Sequence, residues 1–271
     1  MSGMREQMTE RRQPAAKPRI VRRLADLESA LARNEIEVVF QPQVEIATGT
    51  LVGVEALARW QHPDLGELGP DRLFDIAARS GTIAALSRHI QDRALALAAK
   101  WRPPLDALRL SVNVTSQDIA EQRFADDKLA RLRSTGFPAD RLTLEITEAG
   151  LIEDLNRAAQ VLQGLREQGL HIAIDDFGTG YSSLAYLKAL PVDTLKLDRA
   201  FTQDIAGCAK ARIIVSSVIA MARDLGLTVI AEGVETEEQR ALLAQQGVAL
   251  CQGFLFAPAM NSKALANWAA R

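Results

Sequence analysis

Two cysteines, Cys208 and Cys251, are too few to build a disulfide framework, and that class of scaffold is excluded. Both thiols are expected to be reduced, which assigns the chain to the cytoplasm. No apolar run approaches the ~18 residues needed to cross a bilayer, so no membrane segment is expected in this chain. A signal core is missing too: residues 1–23 are crowded with Arg, Glu and Gln and read as a disordered segment or linker. There is no basic excess. A formal net charge of −2 excludes a protein that coats DNA or RNA polymers. Histidine is scarce, with His62, His89 and His171 as its only representatives, and neither HExxH nor CxxC occurs. His171 opens a strand pattern and reads as structural, and Trp60, Trp101 and Trp268 read as packing residues.

What remains is an ordinary globular composition, 48% hydrophobic and 24% charged over 271 residues. That length suits one α/β barrel of ~250 residues. Short β-branched runs alternate with longer helical patterns, which argues for βα units and a mostly parallel sheet. The strand candidates are residues 38–45, 51–60, 108–114, 142–147, 171–177, 194–198, 228–234 and 250–254. Helical patterns cover 91–101, 155–168, 211–225 and 237–246, and Gly169, Gly226 and Gly247 each stand where a helix would end on a glycine. Eight strands predict a closed (β/α)8 TIM-type barrel. Residues 46–50 separate the first two strands, however, and a parallel crossover needs about a dozen. The first strand is therefore expected to be antiparallel and the barrel a modified one, occupying residues 24–271. An open doubly wound sheet is the alternative, but no Gly-rich phosphate fingerprint follows an early strand.

Polar residues interrupt nearly every strand, most of them near its C-terminal end. Glu55, Asn113, Glu145, Asp175 with Asp176, Lys196, Glu232 and Gln252 all stand within or directly after apolar runs. A carboxylate in a strand covered on both faces is costly unless it is paired or bound to a cation. One such residue reads as an ion-pair partner. A set spread over most strands reads as an active site, because barrel sites form at the C-terminal strand ends. Glu55, Asn113, Glu145, Asp175 and Asp176 offer oxygen donors only, which suits Mg2+ or Mn2+. Adjacent aspartates in a strand point to opposite faces, so Asp175 and Asp176 share one site only if the chain turns there. Clustered carboxylates repel one another, two divalent ions would neutralise them, and two-ion sites are typical of phosphoryl hydrolysis. Lys196 is then placed to bond a nucleophilic water or a developing negative charge, and Arg59 to pair with a substrate phosphate. The plain alternatives are a salt bridge for Lys196 and a surface position for Arg59.

These residues fall in an ordered set. EALARW begins at Glu55, Gln41-Pro42 precedes it, and residues 111–113 (SVN) and 144–148 (LEITE) follow. Then come residues 175–184 (DDFGTGYSSL), 195–198 (LKLD), 231–235 (AEGVE) and 252–254 (QGF). The chain resembles the EAL-domain cyclic di-GMP phosphodiesterases from about Leu24 to its C-terminus. Ala58 stands where that family more often has Leu, a packing difference. The resemblance implies that Glu55, Asn113, Glu145 and Asp175 ligate a first metal. Asp175 would bridge to a second ion, which Asp176 and Glu232 would also hold. It further implies that Lys196 orients the hydrolytic water, so that Lys196, Glu232 and Glu55 are the catalytic group. Gln41, Arg59 and Gln252 are implied substrate or site-shaping contacts. Glu148 would anchor the loop 177–183, and the helix beside that loop would contribute to a homodimer. The implied reaction opens one phosphodiester of cyclic di-GMP to linear pGpG with Mg2+ or Mn2+, and Ca2+ is expected to inhibit. A receptor that holds cyclic di-GMP without cutting it, and an unrelated Mg2+-dependent barrel lyase or isomerase, are the rival readings.

Overall fold

The structure is a computed structural model that describes residues 27–147, 154–178 and 184–270, excepting the side chains of 184–186. The segment 1–23, Glu148 and loop residues 179–183 lie outside the described residues.

Eight strands close on one another: β1 (Ile36–Glu45), β2 (Leu51–His62), β4 (Arg109–Val114), β5 (Leu142–Thr147), β6 (His171–Phe177), β7 (Thr194–Leu197), β8 (Thr228–Ala231) and β9 (Leu250–Cys251). Their order is β1-β9-β8-β7-β6-β5-β4-β2, and a β1–β2 pairing shuts the ring. The short hairpin connection has the consequence its length dictates. β1 runs antiparallel to β2, from Ile36↔Trp60 to Val44↔Leu51, and antiparallel to β9 as well. All other barrel neighbours are parallel. The modified (β/α)8 barrel is thus the observed fold.

Alternation along each strand sorts the side chains. On β5, Leu142, Leu144 and Ile146 face outward to the helices, while Thr143, Glu145 and Thr147 take the other face. The parallel register places Asn113 beside Glu145 and Glu145 beside Ala173, so the same parity holds from strand to strand. The hydrophobic core therefore lies between strands and helices. It includes Phe40, which is fully buried and packs edge-on against Trp101 with ring centroids 5.2 Å apart. The barrel lumen receives the polar residues.

After a helical stretch over residues 27–32, the helices are α1 (Pro70–Ser80), α2 (Ile83–Ala98), α3 (Ser116–Ala120), α4 (Phe124–Thr135), α5 (Leu155–Glu167), α6 (Leu184–Ala189), α7 (Arg199–Gln203), α8 (Ala209–Asp224), α9 (Glu237–Gln245) and α10 (Ser262–Ala269) among the described residues. Where these differ from the sequence pattern, the cause is local. α2 begins at Ile83 rather than at 91, because Leu86, Ile90 and Ala94 already form its buried stripe. Short α3 is set by a capping box at Thr115, whose side chain and that of Asp118 exchange backbone bonds. β3 (Gly66–Leu68), with three residues, extends β2 by a second hairpin and falls below the length at which alternation is readable. The last two strands are shorter than expected. Past Ala231 and Cys251 the chain turns, although Val234 N still donates to Gln252 O at 3.1 Å.

That crossing brings two backbones into direct contact, and Gly253 is where they meet. A Cβ on Gly253 would overlap the amide nitrogen and carbonyl oxygen of Val234. Gly253→Ala is expected to destabilise the protein by about 3 kcal/mol, the upper range for overpacking against an unyielding neighbour. Gly49→Ala is the control. It stands in the β1–β2 turn at φ +73° with nothing within 4 Å of a new Cβ. It should cost only about 1 kcal/mol of left-handed strain. Urea unfolding of both variants checks the difference, and equal losses would contradict it.

Candidate active site

At the C-terminal ends of the parallel strands the lumen holds one cation and a ring of acids. Lys196, on β7, is fully buried, one of the largest side chains so enclosed. Its Nζ lies 2.7 Å from Glu232 Oε1, 2.8 Å from Glu145 Oε2, 3.1 Å from Asp175 Oδ1 and 3.3 Å from Glu55 Oε2. Those acids come from β2, β5, β6 and the end of β8. Asn113 on β4 joins them, donating from Nδ2 to Glu55 Oε1 at 3.0 Å.

Asp176 reaches the cluster by a break in the strand. The β6–β7 register shifts between Ile174 and Phe177, and Asp176 adopts φ +54°. Its N–H turns to donate to Asp175 Oδ1 at 2.9 Å. A left-handed backbone costs a non-glycine residue about 1 kcal/mol, and aspartate is among the residues that tolerate it best. The turn converts two residues that would face opposite sides into one pair.

The result is two oxygen triads with a shared member. Glu55, Glu145 and Asp175 each bring a carboxylate oxygen within 4.8 Å of the others, and so do Asp175, Asp176 and Glu232. The first triad is buried, whereas Asp176 and Glu232 in the second are half-buried. Glu145 Oε1 is sealed from water and bonds no described residue. An unpartnered, buried carboxylate oxygen is costly. Its position, beside two further carboxylates, is one that a divalent cation would satisfy.

The electrostatics follow from one ammonium facing five carboxylates. Burial alone would lower the Lys196 pKa, but Asp175, Glu145, Glu232 and Glu55 outweigh it and hold the group well above its ordinary value. Glu145 moves the other way: burial pushes its carboxyl far up, Lys196 offsets part of this, and Glu55 and Asp175 add to it. Burial likewise raises Asp175, against Lys196. Asp176 is pushed up to about 6 by burial and by the charges of Asp175 and Asp198. Glu232 is pushed up to about 8 by burial, with Lys196 opposing and Asp175 reinforcing. Glu55 is the exception. Burial raises it, but Lys196 and the hydrogen bonds from Gln252 and Asn113 prevail, and its carboxyl stays below the usual range.

The three residues expected at the substrate differ in placement. Gln252 is buried inside the cluster, donating to Glu55 Oε2 at 2.7 Å and Glu232 Oε1 at 3.0 Å. Gln41 stands on β1 opposite Glu55, half-buried, with no side-chain hydrogen bond to a described residue. Arg59 lies further along β2, with Glu67 Oε1 3.6 Å from Nε and Ala58 O 2.8 Å from Nη1. Sequence reasoning missed Gln43. Its amide donates to Gln252 Oε1 at 3.1 Å and orients that side chain. Gln43 shares the face of Gln41 two residues on, and Gly53 opposite leaves the space its side chain fills. Strand alternation after Gln41 was the available signal. Glu148 lies outside the described residues.

Comparison with known proteins accords with this arrangement. The EAL domain family matches residues 24–259. The cyclic di-GMP phosphodiesterase PA2567 of Pseudomonas aeruginosa is 38% identical over 249 residues, covering 92% of this chain and 42% of that protein. The cyclic di-GMP phosphodiesterase NbdA of the same organism is 39% identical over 241 residues, covering 89% of this chain and 31% of that protein. The chain thus spans less than half the length of these curated relatives. Among solved structures, the PaMucR phosphodiesterase in complex with c-di-GMP superposes with a TM-score of 0.85 at 36% identity, over 90% of this chain and 99% of that one. The EAL enzyme Bd1971 in its cAMP and cyclic di-GMP bound form gives a TM-score of 0.88 at 28% identity, over 94% and 70% of the two chains. The modified barrel is the fold of the solved EAL structures, and with the family match spanning most of its length the chain belongs to the EAL domain family.

Proposed function

We propose that this chain hydrolyses cyclic di-GMP to linear pGpG in a divalent-metal-dependent reaction. The observation that carries the reading is the pair of oxygen triads joined at Asp175, in the first of which Glu145 keeps one buried oxygen without a described partner. Support for the substrate comes from the relatives, two of which are named cyclic di-GMP phosphodiesterases, and from PaMucR, solved in complex with c-di-GMP.

In this reading Glu55, Asn113, Glu145 and Asp175 hold one Mg2+ or Mn2+, and Asp175, Asp176 and Glu232 a second. When bound, such ions supply Lewis-acid polarisation of the phosphoryl oxygens and lower the pKa of a coordinated water. Lys196, already positioned by four carboxylates, donates a hydrogen bond that fixes the attacking water. Glu232, 2.7 Å from the same ammonium, is placed to take that water's proton. The water oxygen bonds to phosphorus, one ester P–O bond breaks, and the leaving sugar oxygen receives a proton. Arg59 pairs with a phosphate oxygen, and Gln41 and Gln252 shape the floor. Gln252 does so by donating to both Glu55 and Glu232 from one amide nitrogen.

The same reading places the protein in a reducing compartment, where the free thiols of Cys208 and Cys251 persist, and expects a homodimer. Among the described residues no helix is long and apolar enough to cross a membrane.

The direct test is incubation with cyclic di-GMP and Mn2+ or Mg2+, followed by chromatography for pGpG. Turnover is expected with either ion and should vanish on chelation or with Ca2+, whose longer bonds and looser geometry suit the site poorly. Glu55→Ala and Asp175→Ala should each lower kcat at least 100-fold with the fold retained. Tight binding of cyclic di-GMP without any product would instead favour the receptor reading.

Arg59→Ala is expected to act mainly on KM, raising it about 10-fold while kcat changes little, because it removes a ground-state contact to phosphate. Steady-state kinetics in which kcat falls and KM holds would move Arg59 to the transition state.

The raised carboxyls also set a pH dependence. Asp176 and Glu232 ionise near 6 and 8 in the folded chain, against roughly 4 when unfolded. Above pH 4 the folded state therefore holds protons that the unfolded state has released. The stability these groups contribute is complete below that pH and is lost as pH rises through 6 and 8. The Tm of chelator-treated protein should fall between pH 6 and pH 8, and saturating Mn2+ should flatten the decline. Differential scanning calorimetry reads both, and a metal-free Tm that climbs over this interval contradicts the assignment.

A further inference from the structure

A second buried polar network lies outside the barrel, behind Asn113. The ladder between β2 and β4 ends at Ala56↔Val112, while β4 and β5 stay paired to Val114↔Ile146. On its β2 side, therefore, the main chain of Asn113 has passed the last strand partner. Gln91 of α2 takes over: its Nε2 donates to Asn113 O at 2.9 Å. The other hydrogen of that amide goes to Ser87 Oγ at 2.8 Å, with Asp118 Oδ2 a longer 3.4 Å away. Ser87 and Gln91 are one helical turn apart and both buried, interrupting the apolar stripe of Leu86, Ile90, Ala94 and Leu95.

What makes this more than a satisfied amide is the group on its far side. Lys128 of α4, also buried, donates from Nζ to Gln91 Oε1. An ammonium has no acceptor, so the Gln91 oxygen must face Lys128 and its nitrogen must face Asn113. The amide cannot flip. Burying a lysine is unfavourable, and desolvation pushes the Lys128 pKa down to about 8 despite Asp118 and Asp92 nearby. The following turn is fixed by the same group of residues: Asp118 Oδ2 accepts from Ser87 Oγ at 2.6 Å and from Thr115 N and Oγ1 at 2.8 Å. A hydrophobic contact would tie α2 and α4 to the barrel at lower cost. The polar arrangement does something such a contact would not do, which is to hold one named carbonyl at a hydrogen-bond distance.

We infer that Gln91 is a positioning residue for the metal centre, setting the Asn113 side chain through its main-chain carbonyl, with Lys128 locking the orientation of the Gln91 amide. The inference rests on the reading of Asn113 as a metal ligand. It acts at the strand end where a shift of the backbone would carry Asn113 Nδ2 away from Glu55 Oε1.

Gln91→Glu removes the donor. It preserves size and the acceptor for Lys128, but an ionised carboxylate cannot donate to Asn113 O, and its second oxygen would also face Asp118 Oδ2, 3.4 Å from the present amide nitrogen. Titration calorimetry with Mn2+ alone, without nucleotide, is the readout, beside the metal concentration for half-maximal turnover. Both constants are expected to rise about 10-fold, as for other losses of an outer contact to a ligand. At saturating Mn2+ the KM for cyclic di-GMP should stay within about 2-fold of wild type, because no substrate contact is lost. Lys128→Met, which frees the amide to rotate, should shift both constants in the same direction, and it decides the matter if Gln91→Glu fails to fold. Wild-type Mn2+ affinity in a folded variant overturns the inference and leaves the metal centre standing. Absence of Mn2+ binding by the wild-type protein overturns the metal-centre reading and this inference with it.

Discussion

An ammonium group sealed from water at the axis of a barrel must find its counter-charges within the protein, and at Lys196 those charges come from four different strand ends. A unit pair 4 Å apart is worth about 4 kcal/mol at an effective dielectric of 20. Removing Lys196 would leave several buried carboxylates without a counter-charge, at a cost of about 3–5 kcal/mol. Lys196 therefore ties Glu55, Glu145, Asp175 and Glu232 into one unit. The converse holds as well. Burial first, and then the excess of five acids over one lysine, shifts Glu145, Asp175, Asp176 and Glu232 toward their protonated forms. The surplus negative charge can be neutralised by protons, and under the proposed function by divalent cations that compete with them.

The reversal of β1 serves this cluster. In an all-parallel barrel the first strand would reach the mouth by its C-terminal end, as the others do. Here its antiparallel run sets Gln41 against Glu55 and leaves Gln43 beside Gly53. Gln43 then bonds Gln252, and Gln252 bonds Glu55 and Glu232. A chain of neutral amides thus runs along the wall opposite β5 and β6, supplying donors to two carboxylates without adding charge. Lys196 is the larger cause of the low pKa of Glu55, and the Gln252 amide, with Asn113, adds to it. One carboxylate is kept ionised in a site where the others tend to protonate.

Much of this was legible in the sequence, for a physical reason. A polar residue inside an apolar strand has few inexpensive explanations, so Glu55, Asn113, Glu145, Lys196 and Gln252 stood out against their surroundings. The five-residue gap before Leu51 left no room for a crossover, and the hairpin followed. Less was readable where the signal is not periodic. β3 has three residues, α3 is defined by its cap rather than its stripe, and the last two strands end where backbone bonds between Gln252 and Val234 replace regular pairing. Gln43 and Gln91 escaped notice because glutamine is common on surfaces. Alternation after Gln41 hints at the face Gln43 takes, but only tertiary packing reveals that each of the two directs an amide toward a site residue.

The adjacency of Asp175 and Asp176 shows where the sequence pattern and the backbone conflict, and how the conflict is resolved. A regular strand would send these two carboxylates to opposite faces, one to the lumen and one into the helix layer, where burial among apolar groups would be costly. Slipping the register by one residue would not help, because it exchanges the two faces without uniting them. Only a local break does so, and β6 has one: a shifted register after Ile174, a left-handed Asp176 and an N–H turned back to Asp175 Oδ1. Phe177 returns to the outward, buried face directly afterward, so the break is confined to the acids. The strain is small beside the cost of burying a carboxylate in the wrong layer, and it is incurred at the one strand end where two acids must reach the same few ångströms of space. The shared triads are thus a property of the backbone at 174–177 as much as of the side chains it carries.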